Sequence, residues 1–169
     1  LMPFYNGNAV HLKQCFESIK HQEGCFYIDF IIINDGSDKI STQILKKMLD
    51  NLQQTSRWIN IHYVENEKNM GLGYSLNKGV VLSNNEFIFR MDSDDIMITN
   101  RIMKQLEFMA INKECVLCGT QIKLFKAKSN DNINFDIINE TNHPSIDWET
   151  FCKKKPQWLM NHPTFCFKK

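Results

Sequence analysis

Residues 26–33 form an almost continuously apolar run of strand length, and this run constrains the fold more than any other feature of the chain. A strand that is apolar on both faces needs cover on both, which is typical of a parallel sheet between two layers of helices. Other apolar strands alternate with amphipathic helices along the sequence. This alternation predicts an α/β domain with a Rossmann-like, mainly parallel sheet flanked by helices.

The expected secondary structure follows this alternation. Strands are predicted at residues 1–4, 26–33, 59–64, 87–91 and 116–125. The first of four helices carries the apolar positions Val10, Leu12, Phe16 and Ile19; the second is capped by Ser41, the third spans 74–82, and the fourth starts at Thr99 or Asn100. Residues 127–142 are rich in polar side chains and predict an exposed excursion, and residues 145–155 predict a short helix.

The composition limits the class of protein. A length of 169 residues is enough for one sizeable core, and a net charge of +1 gives no overall attraction to nucleic acid or to an anionic membrane. No apolar run reaches the length of a membrane span, so we expect any membrane association to reside in flanking segments. The opening residues Leu1, Met2 and Pro3 have the character of a mid-strand segment, and we expect that a preceding stretch is missing.

The six cysteines are scattered through predicted strands and helices and do not form the dense framework of a small secreted domain. Cys115 and Cys118 have the Cys-x-x-Cys spacing, but neither a second pair nor a nearby histidine completes a zinc site. The pattern predicts buried thiols and a reduced, cytoplasmic environment.

Two acidic turns follow two of the predicted strands. Asp92, Asp94 and Asp95 come directly after residues 87–91, and residues 34–38 contain a second such turn. Carboxylates crowded at the end of a strand repel one another unless a cation lies among them, and hard oxygen ligands suit Mg²⁺ or Mn²⁺ with phosphate completing the coordination. A solvated acidic turn is the alternative for either segment alone.

The carboxyl ends of the strands should together form a ligand crevice, as in other open α/β sheets. Tyr5 offers a flat face on which a base could stack, and Asp35 offers an acceptor for a ring N–H. Asp92 and Asp94 offer the metal site, so base, ribose and metal-bound diphosphate could lie in sequence along one crevice. Taken singly, Tyr5 also fits a rim aromatic, and Asp35 also fits an ordinary turn.

Gly71 and Gly73 stand at the start of a predicted helix, where backbone N–H groups could approach a phosphate. A dinucleotide fingerprint would need a third glycine where Leu76 stands, and its glycines would follow the first strand. An NAD-binding domain is therefore disfavoured. A glycine-rich helix entry without ligand contact explains these residues about equally well.

Four segments in order carry a resemblance to the family 2 glycosyltransferases, enzymes with the GT-A fold that use nucleotide-diphosphate sugars. The similarity extends to residues 96–101 and to the segment 162–164, so it runs nearly end to end. The four segments are Met2-Pro3-Phe4-Tyr5-Asn6, Ile31-Ile32-Ile33-Asn34-Asp35-Gly36-Ser37-Asp38, Asn69-Met70-Gly71-Leu72 and Phe89-Arg90-Met91-Asp92-Ser93-Asp94-Asp95.

The resemblance implies roles for individual residues. The nucleotide-binding set would be Pro3 and Tyr5 flanking the base, Asp35 hydrogen-bonded to it, Asn69 with Lys68 near the diphosphate, and Asp92 near the ribose and the metal. Asp94 would be the principal ligand of Mn²⁺ or Mg²⁺, and Asp95 would hold the turn or approach the sugar. Asn34 stands where many members have an aspartate, which would remove one carboxylate from the pocket. A uridine donor is preferred by resemblance, with guanosine and deoxythymidine open.

The reaction implied is an inverting, metal-dependent sugar transfer from a nucleotide-diphospho-sugar to a glycan or other hydroxyl acceptor, without a nucleic-acid partner. In the family the catalytic base lies beyond the segment that corresponds to residues 162–164. The chain ends at Lys169, so we leave the base unassigned; Asp147 and Glu149 precede the segment. Residues 1–126 would form the nucleotide-sugar-binding core, and residues 127–169 would begin the acceptor-side part of the same single domain, incomplete at its carboxyl end.

Two alternatives remain open. A nucleotidyltransferase shares the architecture and the metal carboxylates, but it would favour a basic, glycine-rich loop after the first strand, where Asn6-Gly7-Asn8 stands. A nucleotide-sugar-binding module without turnover would result if the catalytic base lies beyond the chain end.

Overall fold

A computed structural model describes residues 1–127, 135–140 and 161–169. The elements in these ranges are β1 Met2–Phe4, α1 Ala9–Lys20, β2 Ile28–Asn34, α2 Lys39–Thr55, β3 Ile59–Glu65, α3 Leu72–Leu82, β4 Phe87–Phe89, α4 Arg101–Ile111, β5 Leu117–Cys118, β6 Lys123–Ala127, β7 Phe135–Glu140, a 3-10 turn His162–Thr164 and β8 Cys166–Lys168. The predicted α/β class is confirmed.

The centre of the sheet is parallel. β1, β2 and β3 pair in that order, with Met2 opposite Ile32 and Ile28 opposite Ile59. The backbone of Leu1 continues this pairing on the other side: its nitrogen donates to the Phe89 carbonyl at 2.7 Å, and its carbonyl accepts from the amide of Met91 at 3.1 Å. β4 therefore lies beside β1, and the strand order reverses at β1, which is where open α/β sheets bind ligands.

The far edge of the sheet is antiparallel. β8 pairs with both β4 and β5, so a strand from the end of the chain lies between them. The prediction of one strand over residues 116–125 is wrong, because β5 pairs with β8 whereas β6 turns away to form a two-stranded ribbon with β7. β7 also lies inside the predicted irregular excursion at 127–142. The helix predicted at residues 145–155 lies outside the described residues.

The helices pack their apolar faces on the sheet. Buried residues of α1 and α2, such as Leu12 and Leu45, join Ile32 of β2 and Ile102 of α4 in one core cluster. α1 and α2 contact each other, and α3 contacts β1 and β2. Because the β3–α3–β4 connection runs back across the sheet, the right-handed rule for crossovers assigns α3 to the face opposite α1 and α2. Among the described residues, no helix has the length and apolar character needed to cross a membrane.

The start of α2 differs from the prediction. The helix begins at Lys39, and its N-cap is Asp38, whose carboxylate accepts from the Ser41 amide at 2.8 Å. Ser41 therefore lies inside the first turn and does not cap the helix. Asp38 is the better cap because its negative charge also interacts favourably with the positive end of the helix dipole. The predicted start of α4 at Asn100 agrees with its N-cap.

Candidate functional site

The loops after β1 and β2 are joined at the carboxyl edge of the sheet. The Asp35 amide donates to the Phe4 carbonyl at 2.8 Å, which continues the pairing of the strands into the loops. Asn6 makes two hydrogen bonds to the second loop. Its backbone N–H donates to Ser37 Oγ at 3.0 Å, and its side-chain Oδ1 accepts from the backbone N–H of Asp38 at 2.8 Å. Asn6 has a left-handed φ of 46°, which asparagine tolerates better than most residues. Tyr5 is left with half of its surface exposed beside this junction.

Asp35 joins the second loop to the glycine-rich segment. Its carboxylate accepts from Asn66 Nδ2 at 2.7 Å and from the amides of Met70 and Gly71 at 2.9 and 2.8 Å. Burial opposes the charge, but these hydrogen bonds and one from Ser75 outweigh it and lower the pKa of Asp35. The contact with a nucleotide base stays a prediction; in this structure donors of the protein already occupy both oxygens of the carboxylate.

Gly36 permits the close approach of these two segments. Its φ is +68°, and a Cβ at this position would lie 2.3 Å from the carbonyl carbon of Lys68. Only glycine therefore fits without moving the backbone. The approach places Lys68 and the exposed Asn69 beside the loop that carries Asp35. Asn69 Oδ1 accepts from the Gly71 amide at 3.0 Å, and this contact helps to form the entry of α3.

Two buried asparagines, Asn34 and Asn66, support this edge of the sheet. Asn34 is fully buried, donates to Thr42 and Tyr63, and accepts from the Ser37 amide. Its side chain supports the loop from inside, and the expectation that its difference from aspartate removes one carboxylate from the pocket stays a prediction. Asn66 was missed, although it directly follows β3 at the same sheet edge where the ends of other strands drew attention.

The three carboxylates of the acidic turn after β4 differ in their surroundings. Asp92 receives both terminal nitrogens of Arg90, Nη1 at 2.9 Å and Nη2 at 2.5 Å. Asp94 is exposed. Desolvation, then repulsion by Asp92 and Asp94, raises the pKa of Asp95 to about 6. The three carboxylates are therefore close enough to interact, and Asp94 and Asp95 are exposed whereas Asp92 is half-buried.

This turn fits a divalent cation that a ligand helps to hold. Within residues 1–127, 135–140 and 161–169, no group of three His, Cys, Asp or Glu side chains is arranged to bind a metal ion unaided. Magnesium-type cations commonly use one or two carboxylates, water and substrate phosphate. The outward Asp94 with Asp92 beside it matches that donor set, and a bound cation would relieve the repulsion among the carboxylates.

A buried polar network supports the acidic turn from below. Arg101 donates from Nη2 to the Arg90 carbonyl and from Nε to Gln105 Oε1, both at 2.9 Å. Gln105 Nε2 donates to the Thr164 carbonyl at 2.9 Å, and Thr164 Oγ1 accepts from the Thr120 amide at 2.9 Å. The network thereby connects the turn to the 3-10 segment at residues 162–164. Sequence reasoning assigned no role to Arg90, Arg101 or Gln105, although an arginine at the end of an apolar strand was a visible signal.

The remaining predicted residues are placed as follows. Pro3 lies within β1 opposite Ile33 and is half-buried, next to Tyr5 in sequence. His162 is exposed at the start of the 3-10 turn. Asp147 and Glu149 lie outside the described residues.

Known proteins resemble this chain in sequence and in fold. The model of the family described as Glycosyl transferase family 2 matches residues 1–168. An uncharacterized glycosyltransferase of Haemophilus influenzae is 29% identical over the whole chain, which spans 59% of that protein. A UDP-Gal:alpha-D-GlcNAc-diphosphoundecaprenol beta-1,3-galactosyltransferase of Escherichia coli is 32% identical over 83% of the chain, which spans 47% of that protein.

Solved structures agree at the level of the fold. The mannosyltransferase PcManGT from Pyrobaculum calidifontis, in complex with GDP-Man and Mn²⁺, superposes with a TM-score of 0.56 over 64% of this chain and 31% of its own, at 15% identity. TarS of S. aureus superposes with a TM-score of 0.52 over 66% of this chain and 19% of its own, at 19% identity. The predicted GT-A class of fold is confirmed, and the chain belongs to glycosyl transferase family 2.

Proposed function

We propose that this chain is the donor-binding part of a glycosyltransferase that moves a sugar from a nucleotide diphosphate to a glycan or other hydroxyl acceptor. The observation that carries the proposal is the exposed Asp94, which stands beside the Arg90-bound Asp92 after a strand next to β1. The partial exposure of Tyr5 at the same sheet edge supports a place for the base. UDP is our preferred nucleotide; the similar proteins include one named for UDP-Gal and one in complex with GDP-Man.

Each residue of the site has a proposed task. Tyr5 stacks on the base beside Pro3, Asp35 contacts the base edge while holding the glycine-rich segment, and Asn69 approaches the diphosphate. Asp92 orients the ribose, and Asp94 holds Mn²⁺ or Mg²⁺ with help from Asp92. The cation, when bound, neutralises negative charge on the departing diphosphate. Inversion at the anomeric carbon would need a carboxylate base for the acceptor hydroxyl, which we leave unassigned.

The division of the chain also remains a proposal, with residues 1–126 binding the donor and residues 127–169 beginning the acceptor side. Binding without turnover is the second candidate for these 169 residues alone, because they span only 59% and 47% of two similar glycosyltransferases. A reducing, cytoplasmic setting is supported by the five described cysteines, which all carry free thiols.

Calorimetric titration with UDP, GDP and dTDP tests the proposal. Each nucleotide is added with Mn²⁺ and again with a chelator, to the parent chain and to Asp94→Asn. We expect one diphosphate to bind the parent only with metal, and we expect Asp94→Asn to lose that binding while keeping its fold. Asp50→Asn on the exposed side of α2 is the matched control. If Asp94→Asn binds as tightly as the parent, the metal assignment is wrong.

A sugar-transfer assay separates the two candidates. Release of UDP from a UDP-sugar that depends on an added hydroxyl acceptor would establish turnover by these 169 residues. Metal-dependent binding without any release would favour the binding module, and a longer chain would then be assayed.

A further inference from the structure

Arg90 is a buried arginine whose terminal nitrogens are both committed to Asp92. Its side chain is 4% exposed, whereas that of Asp92 is 29% exposed, so the pair crosses from the core to the open edge of the sheet. The contact is bidentate, at 2.9 and 2.5 Å. A planar guanidinium held by two parallel hydrogen bonds fixes the orientation of a carboxylate as well as its position.

The Nε–H group of Arg90 shows that packing alone does not explain why an arginine stands at this position. Arg90 Nε is buried and lacks a hydrogen-bond acceptor in the part of the chain that the structure describes. A buried N–H without an acceptor lowers stability, and an apolar residue of similar size would avoid that cost. The benefit of an arginine here must therefore come from what its terminal nitrogens do to Asp92.

The arginine is anchored independently of its partner. Its amide donates to the Phe165 carbonyl at 2.8 Å, and its carbonyl accepts from the buried Arg101 at 2.9 Å. Because both backbone groups are held, the base of the Arg90 side chain is fixed from the core. Asp92 is thus the member of the pair that is oriented, and Arg90 is the member that orients it.

We propose that Arg90 is a positioning residue of the donor site, which fixes Asp92 in one orientation and balances its charge, so that Asp92 assists the exposed Asp94 at the metal without adding a further uncompensated charge. The inference rests on the proposed function, because it assigns the donor site to this turn. Without Arg90, Asp92 would turn outward and add a further uncompensated charge beside Asp94 and Asp95. Such a site would attract a bare cation more strongly and an anionic diphosphate less strongly.

Two substitutions separate the charge of Arg90 from its geometry. Arg90→Met removes both the positive charge and the bidentate contact. Arg90→Lys keeps the positive charge on a compact ammonium group but loses the bidentate contact. The exposed Arg57, changed to Met, is the matched control. Each variant is titrated with Mn²⁺ alone and with UDP in saturating Mn²⁺, and its unfolding midpoint in urea is recorded.

We expect opposite changes in the two affinities. Arg90→Met should bind Mn²⁺ alone more tightly, on the order of tenfold, and should bind UDP with Mn²⁺ about tenfold more weakly. Arg90→Lys should leave the affinity for Mn²⁺ alone within about twofold of the parent, because the charge remains, yet should still weaken UDP binding because the orientation is lost. Arg57→Met should change neither affinity.

A merely structural role would give a different pattern, with both affinities falling together and in step with the unfolding midpoint. That pattern, or parent-like affinities in both variants, would overturn the inference. If Arg90→Met does not fold, Arg90→Lys still tests the inference, because its affinity for UDP should fall while its affinity for Mn²⁺ alone stays near that of the parent. Failure of the proposed function is seen separately, since the parent chain would then bind no nucleotide diphosphate with Mn²⁺.

Discussion

Replacing Asp35 by asparagine should destabilise the chain, because this carboxylate is the point at which three segments meet. Its two oxygens accept from Asn66, Met70 and Gly71 at 2.7 to 2.9 Å. An asparagine keeps the shape but replaces one acceptor oxygen by an NH₂ group. Whichever way the amide turns, that NH₂ group faces an N–H donor, so at least one hydrogen bond is lost and two donors are set against each other.

The expected loss follows from the charge of the acceptor. A hydrogen bond to an ionised group contributes about 1.5–3 kcal/mol, so Asp35→Asn should lower the free energy of unfolding by about 2–3 kcal/mol at pH 7. Urea unfolding followed by circular dichroism measures this difference. The exposed Asp50→Asn, which alters the net charge equally, should stay within about 0.5 kcal/mol of the parent.

The pH dependence supplies a second check on the same residue. The pKa of Asp35 is lowered in the folded chain, so its stabilising effect is complete above the unfolded value of about 3.9 and is lost as the pH falls through the folded value. The stability difference between the parent and Asp35→Asn should therefore shrink below about pH 4. Equal stability of the two proteins at pH 7 would refute the reasoning.

Three further substitutions probe the base platform and the start of α2. Tyr5→Ala should weaken binding of the nucleotide diphosphate by about 1–3 kcal/mol in calorimetry if the half-exposed ring carries the base, and unchanged affinity would make it a rim residue. Asp38→Ala should lower the free energy of unfolding by about 1 kcal/mol because the α2 cap is lost, as urea unfolding would report. Ser41→Ala should cost less, since its amide still donates to Asp38; an equal or larger loss would contradict the assignment of the cap.

The sequence predicted the parallel core because burial on both faces leaves a visible mark. Residues 26–33 are apolar almost throughout, and the structure places β2 between β1 and β3, with Phe30 to Ile33 buried. The position of β8 could not be read in the same way. Its pairing with β4 and β5 joins residues about 50 to 80 positions apart, and no local pattern specifies such a partner.

At the candidate site, the sequence identified the strand ends but not the contacts between them. The three loops were found because polar residues follow apolar strands there. The pairing of Arg90 with Asp92 was readable in principle, since residues two apart on extended backbone point to the same side. The contacts of Asp35 with Met70 and Gly71 were not, because they depend on how a loop distant in sequence folds back over it.

The structure distributes three aspartates of the crevice among three different tasks. Asp35 is occupied by donors from the protein, so its charge mainly organises the loops. Asp92 is occupied by Arg90, so its charge is balanced before any ligand arrives. Asp94 combines an exposed position with neighbouring carboxylates that favour the binding of a cation. It follows that neutralising Asp35 should cost mainly stability, neutralising Asp94 mainly metal-dependent binding, and neutralising Asp92 some of each, because it would leave Arg90 buried without its partner.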